Sequence, residues 1–184
     1  MKKGFVLRLT LMALFFALGM VLPFLTGQIP QIGNMILPMH LPVFFCALIC
    51  GWQWGLPMAF LLPLLRSLIF TMPPMYPNAI AMAFELMTYA LVAGLIYSKS
   101  RRSVLSLYIS LISAMLAGRI VWGILQAMLL GVKGNTFTFS AFIAGAITNA
   151  VPGIIIQLIL IPAVMLLLYK TGFLPIEAKS DNRI

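Results

Sequence analysis

The sequence is poor in charge, and above all in acidic residues. Only 8% of its 184 residues are charged while 62% are hydrophobic, and three acids face twelve lysines and arginines. A water-soluble domain has about 25% charged residues, so a surface this poor in charge suits lipid rather than water. The mean hydropathy of +1.10 points the same way. The sequence therefore predicts an integral membrane protein.

Side chains that perform chemistry are also scarce. The chain has one histidine and two cysteines, and Glu85 is the only acid before the C-terminal tail. Metal sites need clustered Cys, His or acidic ligands, acid–base catalysis needs paired titratable groups, and no phosphate-binding loop of the Gly-x4-Gly-Lys-Ser/Thr type is present. We therefore expect no enzyme, no metal site and no cofactor. Cys46 and Cys50 are interpreted as small apolar residues on one helical face.

Long apolar stretches account for most of the chain. A spanning helix needs about 20 apolar residues, so 184 residues hold six with their connections in a single membrane domain. The first stretch runs too far beyond Lys2 and Lys3 for a cleaved signal peptide, and we expect it to be retained. The sequence predicts an all-α, six-transmembrane-helix bundle with helices at about 4–25, 41–52, 55–71, 79–98, 104–132 and 141–168, an external loop at 26–40 and a flexible tail at 173–184.

The net charge of +9 predicts the topology of this bundle. With six helices, the basic residues at both chain ends and between the fourth and fifth helices fall on one side. The opposite connections carry only Lys133. Basic residues are enriched in cytoplasmic loops, so both termini are expected to be cytoplasmic. Contact with the lipid bilayer explains such charge, and no nucleic-acid partner is expected.

Arg66, Glu85 and Arg119 lie inside the predicted helices and away from their basic ends. Charge there is costly and usually faces a cavity or the bundle interior. At a rise of 1.5 Å per residue these three residues lie in the outer half or middle of the bundle, below external loops rich in amides and prolines. An apolar cavity with a few convergent polar groups is typical of a small-molecule site. The candidate substrate-binding residues are Gln31, Asn34, His40, Arg66, Asn78, Glu85, Tyr89, Arg119, Trp122, Gln126 and Asn149.

The sequence leaves other interpretations of these residues open. Glu85 with either Arg66 or Arg119 can form a structural ion pair, and Gln126 and Asn149 can form hydrogen bonds between helices. Either pairing of Glu85 leaves one arginine unbalanced. That surplus positive charge favours a substrate with a carboxylate or another anionic group.

A pair of small residues in the first helix adds a different kind of signal. Ala13 and Ala17 are four residues apart, a spacing that lets another helix approach closely. Together with the length, the helix count and the segments that begin LPMHLPVFFC at Leu37 and NAIAMAFELM at Asn78, this motif resembles the substrate-binding S component of an energy-coupling factor (ECF) transporter. The resemblance covers about residues 5–172.

The resemblance implies a specific function. Such proteins lie in the plasma membrane of prokaryotes, bind a vitamin or related micronutrient from outside, and cover it with the first external loop, here 26–40. A transmembrane coupling subunit docks on the small-residue motif, implied here as Ala13 and Ala17, and two ATPase subunits power the import. The S component is thought to topple in the membrane, which carries its pocket toward the cytoplasm.

The sequence leaves alternatives open for both the substrate and the function. The surplus arginine favours a carboxylate-bearing vitamin such as pantothenate; pyridoxine-type, nicotinate-type and queuosine-precursor substrates stay open, whereas riboflavin and thiamine fit less well. A membrane interaction or assembly protein would use the polar residues only to satisfy one another. A self-sufficient oligomeric carrier would transport without ATPase subunits, but no internal repeat supports it.

Overall fold

The computed structural model describes residues 2–26, 35–100 and 103–172. The tail expected to be flexible, 173–184, lies outside these ranges. The described residues form seven α-helices and contain no β-strand. The helices are α1 (Lys2–Val21), α2 (His40–Ile49), α3 (Trp52–Phe70), α4 (Ile80–Lys99), α5 (Val104–Val132), α6 (Phe139–Ile143) and α7 (Val151–Lys170), with short helical turns at Leu22–Thr26, Met75–Ala79 and Ala144–Thr148.

The second of the predicted spanning helices is too short to cross a membrane. α2 has ten residues and a length of about 15 Å, half of the roughly 30 Å hydrocarbon core. Its boundary with α3 lies at Gly51, whose φ of 94° is in the left-handed region that favours glycine. Where six spanning helices were predicted, five described stretches have the required length and apolarity: Gly4–Leu25, Trp52–Phe70, Met75–Lys99, Val104–Val132 and Phe139–Lys170.

α1 and α3 lie side by side and run in the same direction. At one end the ring centroids of Phe5 and Trp54 are 5.1 Å apart, and at the other end those of Phe24 and Phe70 are 4.9 Å apart. The chain between α1 and α3 must therefore return across the bundle. α2 is the last part of this returning chain, and it covers the half of the distance that ends at Trp54.

The helix ends define two ends of the bundle. Gly94, near the end of α4, packs so closely on Trp52 that an added Cβ would lie 2.7 Å from the Trp52 Cβ. The hydroxyl groups of Tyr97 and Tyr169 are hydrogen-bonded, which brings the ends of α4 and α7 together. We call this end, where α1 and α3 begin, the basal end, and the opposite end the apical end. That the basal end faces the cytoplasm stays a prediction.

α4 is the central helix of the bundle, and it packs against α2, α3 and α5. Its buried alanines, Ala83, Ala90 and Ala93, allow neighbouring helices to approach closely. The outer faces of the long helices are apolar instead of polar, as lipid contact requires. Exposed apolar side chains include Leu14, Leu68, Leu105, Leu116, Ile124, Met128, Ile159 and Leu167.

Part of the connection between α1 and α2, which was predicted to be external, lies inside the bundle. Leu37 and Met39 are buried, and the carbonyl oxygens of Met35 and Ile36 rest on Gly153 of α7. Leu37 has a φ of 54°, so the chain turns sharply before α2 begins. The described end of this connection therefore packs against a helix in the bundle. We call Met35–Met39 the inner segment.

Gly153 permits this contact because it has no side chain. An added Cβ would lie 2.6 Å from the Met35 carbonyl oxygen, which is closer than real Cβ atoms come. We expect Gly153→Ala to push the inner segment off α7 and to destabilise the protein by about 1–3 kcal/mol. Thermal unfolding in detergent measures this loss.

The control is Gly131→Ala, since Gly131 in α5 has nothing within 4 Å of an added Cβ. Alanine favours a helix over glycine, so this variant should be neutral or slightly more stable. Equal melting temperatures for the two variants would contradict the close contact at Gly153.

The helix predicted at 141–168 is interrupted. α6 ends at Ile143, and a helical turn follows whose hydrogen bonds span five residues instead of four. In this turn the backbone N–H of Asn149 donates to the Ala144 carbonyl at 2.9 Å. Pro152 then lies in the first turn of α7, where its missing N–H is tolerated. The predicted helix is thus broken in the residues just before Pro152.

Candidate functional site

Glu85 is the centre of a buried polar cluster between α4 and α5. Its side chain is 1% exposed, and Oε1 lies 2.9 Å from Nη1 of Arg119 on α5. The Tyr89 hydroxyl, one turn further along α4, donates to the same oxygen at 2.9 Å. Glu85 therefore pairs with Arg119 and not with Arg66, which resolves the alternatives that the sequence left open.

The close approach of α4 and α5 at this point depends on a glycine. A Cβ at Gly118, the residue before Arg119, would lie 2.0 Å from the Tyr89 ring. The ring therefore lies against the bare backbone of α5, and its hydroxyl is directed to Glu85. The sequence Gly118-Arg119 places the ring contact and the cation side by side.

His40 joins the cluster from α2. It is the first residue of that helix and 1% exposed, and its Nε2 lies 3.7 Å from Oε1 of Glu85. This distance is too long for a hydrogen bond, but it places the imidazole in the field of the carboxylate. The ring centroid lies 5.4 Å from that of Tyr89. Within the described part of the chain, neither nitrogen of His40 has a hydrogen-bond partner.

Arg119 uses only one corner of its guanidinium group in the ion pair. Its Nε and Nη2 atoms are buried and have no partner among the described residues. The N–H bonds on these two nitrogens form one edge of the guanidinium plane, and two parallel donors of this kind match the two oxygens of a carboxylate. Glu85 thus balances the charge of Arg119 at Nη1, and the donors on Nε and Nη2 stay unused.

The cluster lies deep in the bundle. Arg119 is about 20 Å from each end of α5 at the usual rise per residue. Water reaches such a site poorly, so unpaired donors there are costly. A planar anionic group between the helices would supply the missing acceptors, and the chemistry that these residues support is binding.

Arg66 has a different environment from the one predicted. It is 1% exposed, and its Nη1 donates to the Met20 carbonyl in the last turn of α1. Its guanidinium carbon lies 5.0 Å from the Phe24 ring centroid and 5.2 Å from that of Phe70. A cation at a helix C-terminus between two aromatic faces is stabilised without an acid. Arg66 therefore lies outside the cluster around Glu85.

Gln126 and Asn78 satisfy each other. The Gln126 Nε2 donates to the Asn78 Oδ1 at 2.9 Å, and the Tyr76 hydroxyl donates to the Leu129 carbonyl. Lys133 lies over the Tyr76 ring, with Nζ 4.3 Å from its centroid. These contacts tie the connection before α4 to the apical part of α5. The hydrogen bond of Gln126 therefore joins α5 to the helical turn before α4.

The remaining candidates are more scattered. Trp122 packs against Phe142 and Phe137, with ring centroids 6.4 Å and 6.0 Å away, at the apical part of α5. The side chain of Asn149 is exposed. Gln31 and Asn34 lie outside the described residues. The structure thus brings together His40, Glu85, Tyr89 and Arg119 and leaves the apical residues apart from them.

Sequence reasoning missed Gln157 on α7. Its side chain is 1% exposed, and its Nε2 has no hydrogen-bond partner among the described residues. The available signal was a single amide in the apolar run VPGIIIQLILIP, the pattern that singled out Glu85 in α4. A polar residue in such a run usually faces the interior.

Comparison with known families gives one finding. A family model described as "ECF transporter, substrate-specific component" matches residues 7–165, which is most of the chain. No curated protein and no solved structure gives a significant match.

Proposed function

The chain belongs to the family of ECF transporter substrate-specific components, and we propose that it binds a carboxylate-bearing vitamin, such as pantothenate, for ATP-driven import. As a member of this family it is a multi-pass membrane protein and the subunit that determines which substrate an ECF-type transporter accepts.

The observation that carries the proposal is the unused edge of Arg119. Glu85 contacts Nη1 at 2.9 Å and holds the guanidinium in place, while Nε and Nη2 are buried without partners. Charge-assisted hydrogen bonds to a carboxylate are about twice as strong as neutral ones and geometrically selective. The fixed Glu85–Arg119 pair would therefore act as a preorganised clamp for an anionic group.

The inner segment leads into the site through His40. Met35–Met39 is packed into the bundle against Gly153 and leads directly into His40. We propose that this segment, with the rest of 26–40, covers the bound substrate as a lid. Because the clamp lies at mid-depth, we further propose that the whole subunit topples to deliver the substrate, so that no polar path through its basal half is needed.

Binding to a panel of vitamins tests the substrate class. A ligand that binds the folded state raises the melting temperature with the logarithm of its concentration. We expect pantothenate to stabilise the detergent-solubilised protein, and pantothenol, which has an alcohol in place of the carboxylate, to do so only at concentrations about 100-fold higher. Nicotinate, pyridoxine, a queuosine precursor, riboflavin and thiamine complete the panel.

Two results would change this conclusion. Equal stabilisation by pantothenate and pantothenol would overturn the carboxylate clamp, and stabilisation by another member of the panel alone would replace pantothenate. If no compound binds, the polar cluster would be a structural ion pair. A membrane interaction or assembly role would then become the better hypothesis.

The proposed partners are a transmembrane coupling subunit and two ATPase subunits. Ala13 and Ala17 are both exposed on the outer face of α1, so another helix has access to them. We expect Ala13→Leu combined with Ala17→Leu to abolish copurification of the coupling subunit, because two large side chains would block close helix contact. Substrate binding should be unchanged.

The matched control for this variant is Ala163→Leu, another exposed alanine, on α7. It adds the same volume to a face outside the proposed docking helix. Loss of the coupling subunit in this control, or its retention in the double variant, would contradict docking on α1. The measurement is copurification from cells that express all the subunits together.

A further inference from the structure

Gln157 and Gln126 are the two buried glutamines among the described residues, and they differ in one respect. The amide of Gln126 donates to Asn78 at 2.9 Å. Gln157 is 1% exposed, and its Nε2 has no described partner. A buried polar group without a hydrogen bond destabilises the fold and calls for a ligand or an ordered water.

The position of Gln157 follows from the buried face of α7. This face has a residue every four positions, namely Gly153, Gln157, Ile161 and Met165. Gly153 contacts the backbone of the inner segment, and Gln157 is one turn, or about 6 Å, further toward the basal end. The amide therefore lies just below the inner segment, on the face of α7 that points into the bundle.

His40 follows directly after the inner segment. The His40 amide donates to the Leu37 carbonyl at 3.1 Å, so the inner segment turns directly into α2. α2 packs against α7 as well as against α4. Buried polar atoms without a described partner therefore lie on three helices, namely His40 Nδ1 and Nε2 on α2, Arg119 Nε and Nη2 on α5, and Gln157 Nε2 on α7.

We propose that Gln157 is a second recognition point, which binds a neutral polar group of the ligand away from its carboxylate. This inference rests on the proposed function, since Arg119 would bind the carboxylate. The Gln157 amide both donates and accepts without a fixed charge, so it selects a hydroxyl or amide group. The site is then bipolar, and it favours a ligand with an anionic end and a neutral polar end. Pantothenate, with its amide and hydroxyl groups, has this form.

Thiol accessibility tests the position of Gln157 without any ligand. In a chain with Cys46→Ala and Cys50→Ala, we expect Gln157→Cys to react with a small cationic methanethiosulfonate reagent. Ile161→Cys is the matched control, one turn further along the same face and 0% exposed in the core. We expect Cys at 157 to react at least about tenfold faster than Cys at 161. Equal rates would overturn the proposal, because Gln157 would then be ordinary core.

Binding measurements test the role of Gln157. Gln157→Leu should bind pantothenate at least about tenfold more weakly, and pantothenol by the same factor, because both compounds share the neutral end. Without ligand its melting temperature should be equal or higher, because leucine removes an unpaired buried amide. Gln126→Leu, which breaks the bond to Asn78, should lower the melting temperature. Unchanged pantothenate affinity in Gln157→Leu would overturn the second recognition point.

The two proposals fail in different ways. If wild-type protein does not bind pantothenate, the proposed substrate is wrong, while the reaction rates at 157 and 161 still decide whether Gln157 lines an accessible site. If pantothenate binds, Arg119→Lys weakens this binding and Gln157→Leu leaves the pantothenate affinity unchanged, the carboxylate clamp stands and the second recognition point is wrong.

Discussion

Arg119→Lys is expected to weaken pantothenate binding by about 100-fold while the protein stays folded. Lysine keeps the positive charge beside Glu85, but its ammonium group is a single point that cannot contact Glu85 and also present two parallel donors to a carboxylate. Loss of one charge-assisted hydrogen bond and of its geometry costs about 3 kcal/mol, which is about 100-fold in affinity. Ligand-dependent thermal shift or direct titration measures this change.

Arg8→Lys is the matched control, because Arg8 is exposed near the start of α1. The same chemical change there should leave the affinity unchanged. Pantothenol provides a second control, since it has no carboxylate and its weak binding should be the same in wild type and in Arg119→Lys. An unchanged affinity for pantothenate in Arg119→Lys would contradict the clamp.

Glu85→Ala is expected to have the largest effect on stability. It would leave Arg119 as an uncompensated charge at mid-depth and would also remove the acceptor of the Tyr89 hydroxyl. Removal of one partner from a buried ion pair destabilises a protein by about 3–5 kcal/mol. For a chain of this size that lowers the melting temperature by roughly 10 °C, measured by thermal unfolding in detergent.

A double variant separates stability from binding. Replacement of a buried ion pair by apolar residues of similar size is often neutral, so Glu85→Leu with Arg119→Met should recover most of the lost stability. It should nevertheless fail to bind pantothenate, because no donor for the carboxylate is left. If the double variant binds as well as wild type, the ion pair is structural and the site lies elsewhere.

The sequence alone determined that this is a membrane protein and where most of its long helices lie. The low share of charged residues excludes a surface in water, and apolar runs of spanning length mark α1, α3, α4 and α5 whatever their neighbours are. It also singled out Glu85 and Arg119, because a charge inside an apolar run is costly enough to require a special environment. The predicted membership in the ECF substrate-specific family was confirmed by the family match over 7–165.

The tertiary structure decided which polar groups meet. Depth along a helix can be counted from the sequence, and Arg66 and Arg119 looked equally suited to Glu85. Which arginine faces it depends on how the helices are arranged around α4, and the structure places Arg66 between Phe24 and Phe70 instead. The short α2 and the inward course of the inner segment were also hidden, because a buried loop and an exposed one can have the same composition.

Gln157 illustrates the same limit. One amide in an apolar helix signals burial, but whether it has a partner depends on atoms from segments more than a hundred residues away in the chain, such as the inner segment and α2. Hydropathy and spacing are local properties and therefore predict elements and their depth. Hydrogen bonding between elements is set by packing, so the clamp and its unused donors are visible only in the folded bundle.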